Sequence, residues 1–431
     1  MKLQRWVYWI MIGVLIVLLA GCQFRPEPAN NSKVVHLTLW QGIGPPPNRD
    51  VFQSLVQRFN DRHPQIQVES LYVGHPDQQI PKILTAVVGN AAPDILWYNP
   101  TLTGQLVELE AIEPLETWLT QSPLVTQLDP ALLETMEFEG HLWSVPFGAN
   151  NAAVFYRPSL FAAAGITELP RTWEELRQVA QALTQDMDGD GRIDQQGIFL
   201  SLGKGEWTVF TWLPFIYSAG GQINQGVKPD LVNPGAIAAL TFAQTLVQDG
   251  SAMLSAPERG FEIDNFLTGK VAMQITGPWT LAQMQSAGVD FDVLPLPVAQ
   301  EPAAVLGGEN FFLCRTTPQK RQAALTFLEY ILSAEFQQDW ALKTGFLPVN
   351  LTVRDSQVYQ HFLAENPLLQ VFIEQMAWAR SRPVVPGYPY LSENLGRAIE
   401  AALLGQDPTE ALQQSQRRLE LIFGPSSSPP A

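Results

Sequence analysis

Stretches rich in β-branched and aromatic residues alternate with stretches of helical spacing from residue 34 onward, and this order leaves few folds open. Val34-Val35-His36-Leu37-Thr38-Leu39-Trp40 is a strand signal. After a break at Gly42 to Pro47, the residues Val51, Phe52, Leu55, Val56 and Phe59 fall on one helical face. Ile66 to Val73 alternates as a second strand, and Ile80 to Val88 is helical. Ala92-Pro93-Asp94 then leads into the strand Ile95 to Tyr98. A β-α-β-α-β run predicts an α/β lobe with a largely parallel sheet. The alternation resumes with a strand at Val154 to Tyr156 and a helix opened by a capping box, Thr172 with Glu175. A helix over 234–248, a strand over 271–275, an extended piece over 291–297 and helices over 323–332 and 335–342 follow.

The chain is too long for one ordinary core, so two lobes are expected. Its first residues are an address. Lys2 and Arg5 precede an uncharged apolar run from Trp6 to Ala20, which ends in Leu19-Ala20-Gly21-Cys22. This is a signal-peptide pattern ending in a lipobox. It resembles a bacterial lipoprotein signal, in which cleavage leaves Cys22 as a lipid-bearing N-terminus. The bland alternative is an uncleaved anchor, but the run is short for a membrane span of about 20 residues. Gln23 to Ser32, with Pro26 and Pro28, reads as a flexible tether, and the Pro/Ser-rich end from Gly424 as a frayed tail. Net charge is −16, which argues against nucleic acid as a partner. With Cys22 lipidated, Cys314 is the lone remaining cysteine. No internal disulfide is then available, and Cys314 is expected to be a buried structural thiol.

A set of short segments, in order and spacing, resembles the maltose-binding-type extracellular solute-binding proteins, the receptors of ABC importers. They are Leu37-Thr-Leu-Trp40, Ala92-Pro-Asp-Ile95, Val145-Pro-Phe147 with Phe155-Tyr156-Arg157, and Thr172-Trp-Glu-Glu-Leu176. Further on come Ser218-Ala-Gly-Gly221, Phe266 to Met273, Gly277-Pro-Trp279, Leu294-Pro-Leu-Pro297 and Gly345-Phe-Leu-Pro348. The resemblance runs from about residue 34 to about residue 420. It implies a type II periplasmic-binding-protein-like fold: two α/β lobes joined by hinge strands, with a ligand cleft between. It places crossings near Gly148-Ala149, Leu306-Gly307 and Ser333. The expected layout is a signal (1–21), a tether (22–33), lobe 1 (34–148), lobe 2 (149–306) and a return to lobe 1 (307–333). Helices mainly of lobe 2 (334–424) and a tail (425–431) complete it.

Sugars offer apolar C–H faces and a rim of hydroxyls, so a sugar site needs aromatic platforms beside a few polar groups. Twelve tryptophans are available. Trp40, Trp97 and Trp279 sit at strand ends, where open α/β sheets bind ligands, and Trp207 and Trp212 flank Phe210. Each could instead be core. Trp118, Trp173, Trp340 and Trp378 lie in helical patterns and read as core. The resemblance adds Gln41, Asn99, Asn150, Asn151 and the Gly307-Gly308-Glu309-Asn310 loop to the cleft. For the Asn pair, turn chemistry is the alternative. The resemblance also implies that the Pro-bounded loop 382–388 reaches into the cleft with an aromatic, for which Tyr388 is the candidate. Arg382 is a candidate phosphate fork, with an ion pair as its ordinary alternative.

Asp186-Met-Asp188-Gly-Asp190-Gly191-Arg192-Ile-Asp194 has acidic oxygens at EF-hand-like positions 1, 3, 5 and 9, with Gly at 6, and Arg192 is counted in the loop. Position 12 is Gly197 rather than the bidentate Glu. A structural Ca²⁺ or a solvated Asp/Gly turn are both open, and no other cofactor is expected. Ser201-Leu-Gly-Lys204 and Lys343-Thr-Gly345 match an acyltransferase pattern, but Ser392-Glu-Asn394 follows them instead of lying between. A glycosidase carboxylate pair stays open. The expected protein is not an enzyme. It is a monomeric, lipid-anchored carbohydrate receptor that closes on its sugar and docks on an ABC permease, with a glycerol-phosphate ligand as the alternative and an extracytoplasmic hydrolase as the remote one.

Overall fold

The computed structural model describes residues 34–255 and 262–424. The signal, the tether with Cys22 and the 425–431 tail lie outside the described residues. The longer strands are β1 (Val35–Gln41), β2 (Ile66–Tyr72), β3 (Ile95–Tyr98), β4 (Ser144–Pro146), β5 (Ala153–Tyr156), β6 (Gln196–Leu200), β7 (Ala252–Leu254), β8 (Val271–Thr276), β9 (Asp292–Leu294) and β10 (Asn310–Leu313). They form two five-stranded sheets, in the orders β2-β1-β3-β10-β4 and β7-β6-β8-β5-β9.

In the first sheet β1 pairs parallel with β2, from Val35 with Ile66 to Gln41 with Tyr72, and parallel with β3. The late strand β10 returns to this sheet antiparallel, between β3 and β4. The second sheet is built the same way. β6 lies parallel to β7 and β8, while β5 runs antiparallel between β8 and β9. β3 and β8 are buried along their whole length because helices cover both faces.

The crossover after β1 is α1 (Pro46–Arg62), which begins inside the expected break because Pro is tolerated in a first helical turn. It buries Phe52, Leu55, Val56 and Phe59 against the first sheet. Asn60 hydrogen-bonds both the N–H and the carbonyl of Val68, fixing α1 to β2. The crossover after β2 is α2 (Pro76–Val88). In the second lobe α3 (Trp173–Ala182) carries the Thr172/Glu175 capping box. Trp207 and Trp212, read from sequence as flanking Phe210 in a Gly-bounded stretch, stand on α4 (Glu206–Ser218), which is buried on nearly every face. A helix buried all round has no amphipathic stripe to signal it. Helix α5 (Pro234–Gln248) packs against it in the second core.

Helices α6 (Pro318–Leu332) and α7 (Ala334–Thr344) both pack on the first core, through Phe327, Ile331, Phe336 and Trp340. The layout expected from sequence differs here, because Ser333 only caps α7 and does not begin the second lobe. The passage to the second lobe comes later, where α8 (Leu368–Gln375) buries Leu369 and Phe372 against Phe155 and Val271. Helices α9 (Tyr388–Leu403) and α10 (Pro408–Phe423) complete the second core.

Two chain passages and a loop lie side by side between the sheets. Ala149 exchanges backbone hydrogen bonds with Leu347, and Asn150 does so with Gly307. The lobes also touch across the cleft. Asn48 Nδ2 donates to the Trp279 carbonyl at 3.3 Å. Gly104 packs so closely on the Val385-Pro386 backbone that a Cβ there would sit 3.0 Å from the Pro386 nitrogen.

Candidate functional site

Between the lobes lies a cavity of about 310 Å³, near the lower end of the range usual for small-molecule sites. The first lobe contributes the Gly42–Pro46 loop, His75, Trp97, Tyr98 and Asn99. The second contributes Glu206, Trp207, Phe210, Gln274, Thr276 and Trp279. The passages between them contribute Asn150, Gly307, Gly308 and Glu309.

The aromatic wall has a definite shape. Trp207 meets Trp279 edge-on, with centroids 5.9 Å apart and planes at 74°. Phe210 stacks beside Trp207 at 5.8 Å and lies 6.3 Å from Trp279. Trp279 also reaches Phe346 at 6.4 Å, and it packs against the cores of both lobes. Trp340, read from sequence as core, is fully buried in the first core and also lines the cavity beside Phe346 at 5.3 Å.

Polar groups face these rings. Asn99 caps a short turn by accepting from the Thr101 N–H and reaches the Gly308 carbonyl at 3.4 Å. Trp97, Trp340, Gln274 and Arg382 line the cavity, and each has one buried side-chain polar atom without a hydrogen-bond partner: Nε1, Nε1, Oε1 and Nε respectively. Buried polar atoms are seldom left unpaired, so these are groups that a polar occupant or water would satisfy.

Of the sequence candidates, Trp97, Asn99, Asn150, Trp207, Trp279, Gly308, Glu309 and Arg382 come together here. Six do not. Trp40 leans onto the small core of Ile83 and Leu96 and is not among the cavity-lining residues. Gln41 is buried and accepts from the Ile43 N–H at 2.8 Å, so it shapes the cavity loop without lining it. Asn151 ties the second lobe together, donating to the Phe372 carbonyl and accepting from Gln375, both at 2.8 Å. Trp212 is core, with its Nε1 donating to the Ser201 carbonyl. Asn310 donates to Ser144 Oγ at 2.8 Å within the first sheet. Tyr388 is 1% exposed and donates to Glu206 Oε1 at 3.0 Å.

Sequence reasoning missed Glu206, Gln274, Thr276 and His75. For Gln274 and Thr276 a signal existed, namely two polar residues in phase in the apolar strand Val271-Ala-Met-Gln-Ile-Thr276. Arg382 also differs from expectation. It is buried and pairs with Glu206 at 2.7 Å, so it is neither a free phosphate fork nor a surface ion pair. Burial opposes its charge, yet Glu206, Tyr388 and Glu309 outweigh burial and hold its pKa above the ordinary guanidinium value.

Elsewhere, burial, then Asp94 and Glu113, push the Cys314 thiol up to about 12, which makes it a poor nucleophile. In the 186–194 loop the carboxylate oxygens of Asp186, Asp188 and Asp194 lie within 4.8 Å of one another. Asp190 is outside that group and accepts from the Arg192 N–H. Among the described residues no helix is long and apolar enough to cross a membrane.

Known proteins are similar to this chain in sequence or in fold. The maltotriose-binding protein of Pyrococcus abyssi (strain GE5 / Orsay) is 22% identical over 385 residues, 87% of this chain and 78% of that protein. The sn-glycerol-3-phosphate-binding periplasmic protein UgpB of Escherichia coli O1:K1 / APEC is 21% identical over 410 residues, 90% of this chain and 93% of that protein. An ABC transporter solute-binding protein of Thermotoga lettingae TMO, solved with α-D-tagatose, shares the fold with a TM-score of 0.81 at 24% identity, over 90% of this chain and all of that one. A family model described as bacterial extracellular solute-binding protein matches residues 54–369, most of the chain, and the protein belongs to that family.

Proposed function

We propose that this protein is the extracytoplasmic receptor of an ABC importer and that it binds a carbohydrate, either a di- or oligosaccharide or a glycosylated polyol. The observation that carries this reading is the two-lobed cavity itself. Its wall of Trp207, Phe210, Trp279 and Phe346 suits the C–H faces of sugar rings, and Asn99, Asn150, Gln274 and Thr276 suit hydroxyls. A ligand touching both walls stabilises the closed arrangement, and that form docks on the permease. The chain acts as a monomer, held to a membrane by lipid on Cys22 through a tether that keeps it near its transporter. It has no catalytic role. The 186–194 loop holds a structural Ca²⁺, supported by three convergent carboxylates.

Titration calorimetry of the protein lacking residues 1–22 against mono-, di- and oligosaccharides, glycosylated polyols and glycerol phosphates tests the reading. Binding of a sugar without product formation is expected. Absence of binding across all sugars, or turnover of a bound one, refutes it. The E. coli relative's name raises a glycerol-phosphate ligand as the second reading. The pairing of Arg382 with Glu206 weighs against it.

A further inference from the structure

Glu206 opens α4, so it stands at the positive end of a helix dipole. Such an end, at a cavity wall and beside a guanidinium, is a ready site for a phosphate or carboxylate. Here the chain supplies the anion itself. Glu206 Oε1 accepts from Arg382 Nη1 at 2.7 Å and from the Tyr388 hydroxyl at 3.0 Å, and its Oε2 accepts from the Ser392 hydroxyl. Arg382 is 7% exposed, and its guanidinium carbon lies 5.1 Å from the Phe210 ring centroid. Its Nε is buried without a partner, so the guanidinium of this cavity-lining residue retains an unused donor.

We propose that Glu206 sets the charge selectivity of the cavity by occupying the place that an anionic ligand group would take. An entering phosphate would have to displace a carboxylate held by three donors, or sit beside it and Glu309 with two like charges to face and only the Arg382 guanidinium to pair with. The site therefore takes uncharged polyhydroxyl ligands and rejects phosphorylated ones. This rests on the carbohydrate reading for the ligand class, but the charge rule itself can fail or hold separately. Glu206 acts through Arg382 and is a positioning residue for selectivity.

The test is calorimetry of wild type, Glu206→Gln and Glu206→Gln/Arg382→Gln against sn-glycerol 3-phosphate, inorganic phosphate and the sugar panel. Circular dichroism establishes folding of each variant. In wild type, sn-glycerol 3-phosphate should bind at least about tenfold more weakly than the best sugar. Glu206→Gln should gain about tenfold or more in affinity for sn-glycerol 3-phosphate, and the double variant should lose that gain. A merely structural role for Glu206 would lower stability without admitting an anion. A folded Glu206→Gln protein with no gain overturns the proposal. If that variant does not fold, wild type still decides: affinity for sn-glycerol 3-phosphate equal to that for the best sugar overturns it, and the tenfold preference for sugar supports it. If no sugar binds wild type, the carbohydrate reading fails, while an Arg382-dependent gain of phosphate binding in Glu206→Gln still upholds the charge rule.

Discussion

Truncating Trp279 tests the cavity most directly. Its ring touches Trp207, Phe210 and Phe346 at 5.9, 6.3 and 6.4 Å, so Trp279→Ala removes a wall and also loosens its neighbours. A sugar ring stacked on an indole face covers about 60 Å² of apolar surface, worth about 1.5 kcal/mol. Lost order in Trp207 adds about 0.5–1.5 kcal/mol by the usual value of an aromatic pair. Together these predict a loss of about 2–3 kcal/mol, or about 30- to 150-fold in Kd, by calorimetry with the best sugar. Trp118→Ala is the control. Trp118 lies partly buried on the first core away from the cavity, so its truncation should lower Tm and leave Kd alone. A folded Trp279→Ala protein whose Kd moves less than about threefold would refute the assignment of this wall to the ligand.

Asp94 is 5% exposed and holds β1 to α6 through the Thr38 N–H, Thr316 and Lys320. Burial raises its pKa, but these donors outweigh burial and depress it overall. Its stabilisation is therefore present above about pH 4 and lost as pH falls through the depressed value. Asp94→Asn should cost about 1–3 kcal/mol at pH 7 by denaturant melting, and the deficit against wild type should narrow in acid; a deficit constant down to pH 2 counts against it. Cys22→Ser should release the protein from membranes, by fractionation, with Kd for sugar unchanged; retention in the membrane would exclude lipid on Cys22 as the anchor. Millimolar Ca²⁺ should raise Tm in wild type and not in Asp186→Asn; equal shifts would remove the proposed ion.

The lobes were legible because strand and helix periods alternate locally, and because Thr172 and Glu175 announce their helix within four residues. The site was only half legible. Trp40 and Gln41 end the same strand on opposite faces, and only the sheet register with its covering helix decides that neither lines the cavity. Asn151, Asn310 and Tyr388 are expected as ligand groups because the resemblance to solute-binding proteins places their segments at the cleft. Their partners, Phe372, Ser144 and Glu206, lie more than a hundred residues away in the chain. No local pattern encodes such pairs. Glu206 stayed hidden for the same reason, since its meaning comes from Arg382.

The backbone ladder between the lobes has a further consequence for affinity. Ala149 bonded to Leu347, and Asn150 bonded to Gly307, make a narrow ribbon whose peptide groups are already paired. Such a ribbon bends about its own plane far more easily than it shears or twists, as a leaf hinge does. In the proposed receptor the lobes would then close along one soft coordinate, bringing the same rings over the same amides each time. Little rotational freedom is left to be frozen when the ligand arrives, so more of each contact appears as net affinity.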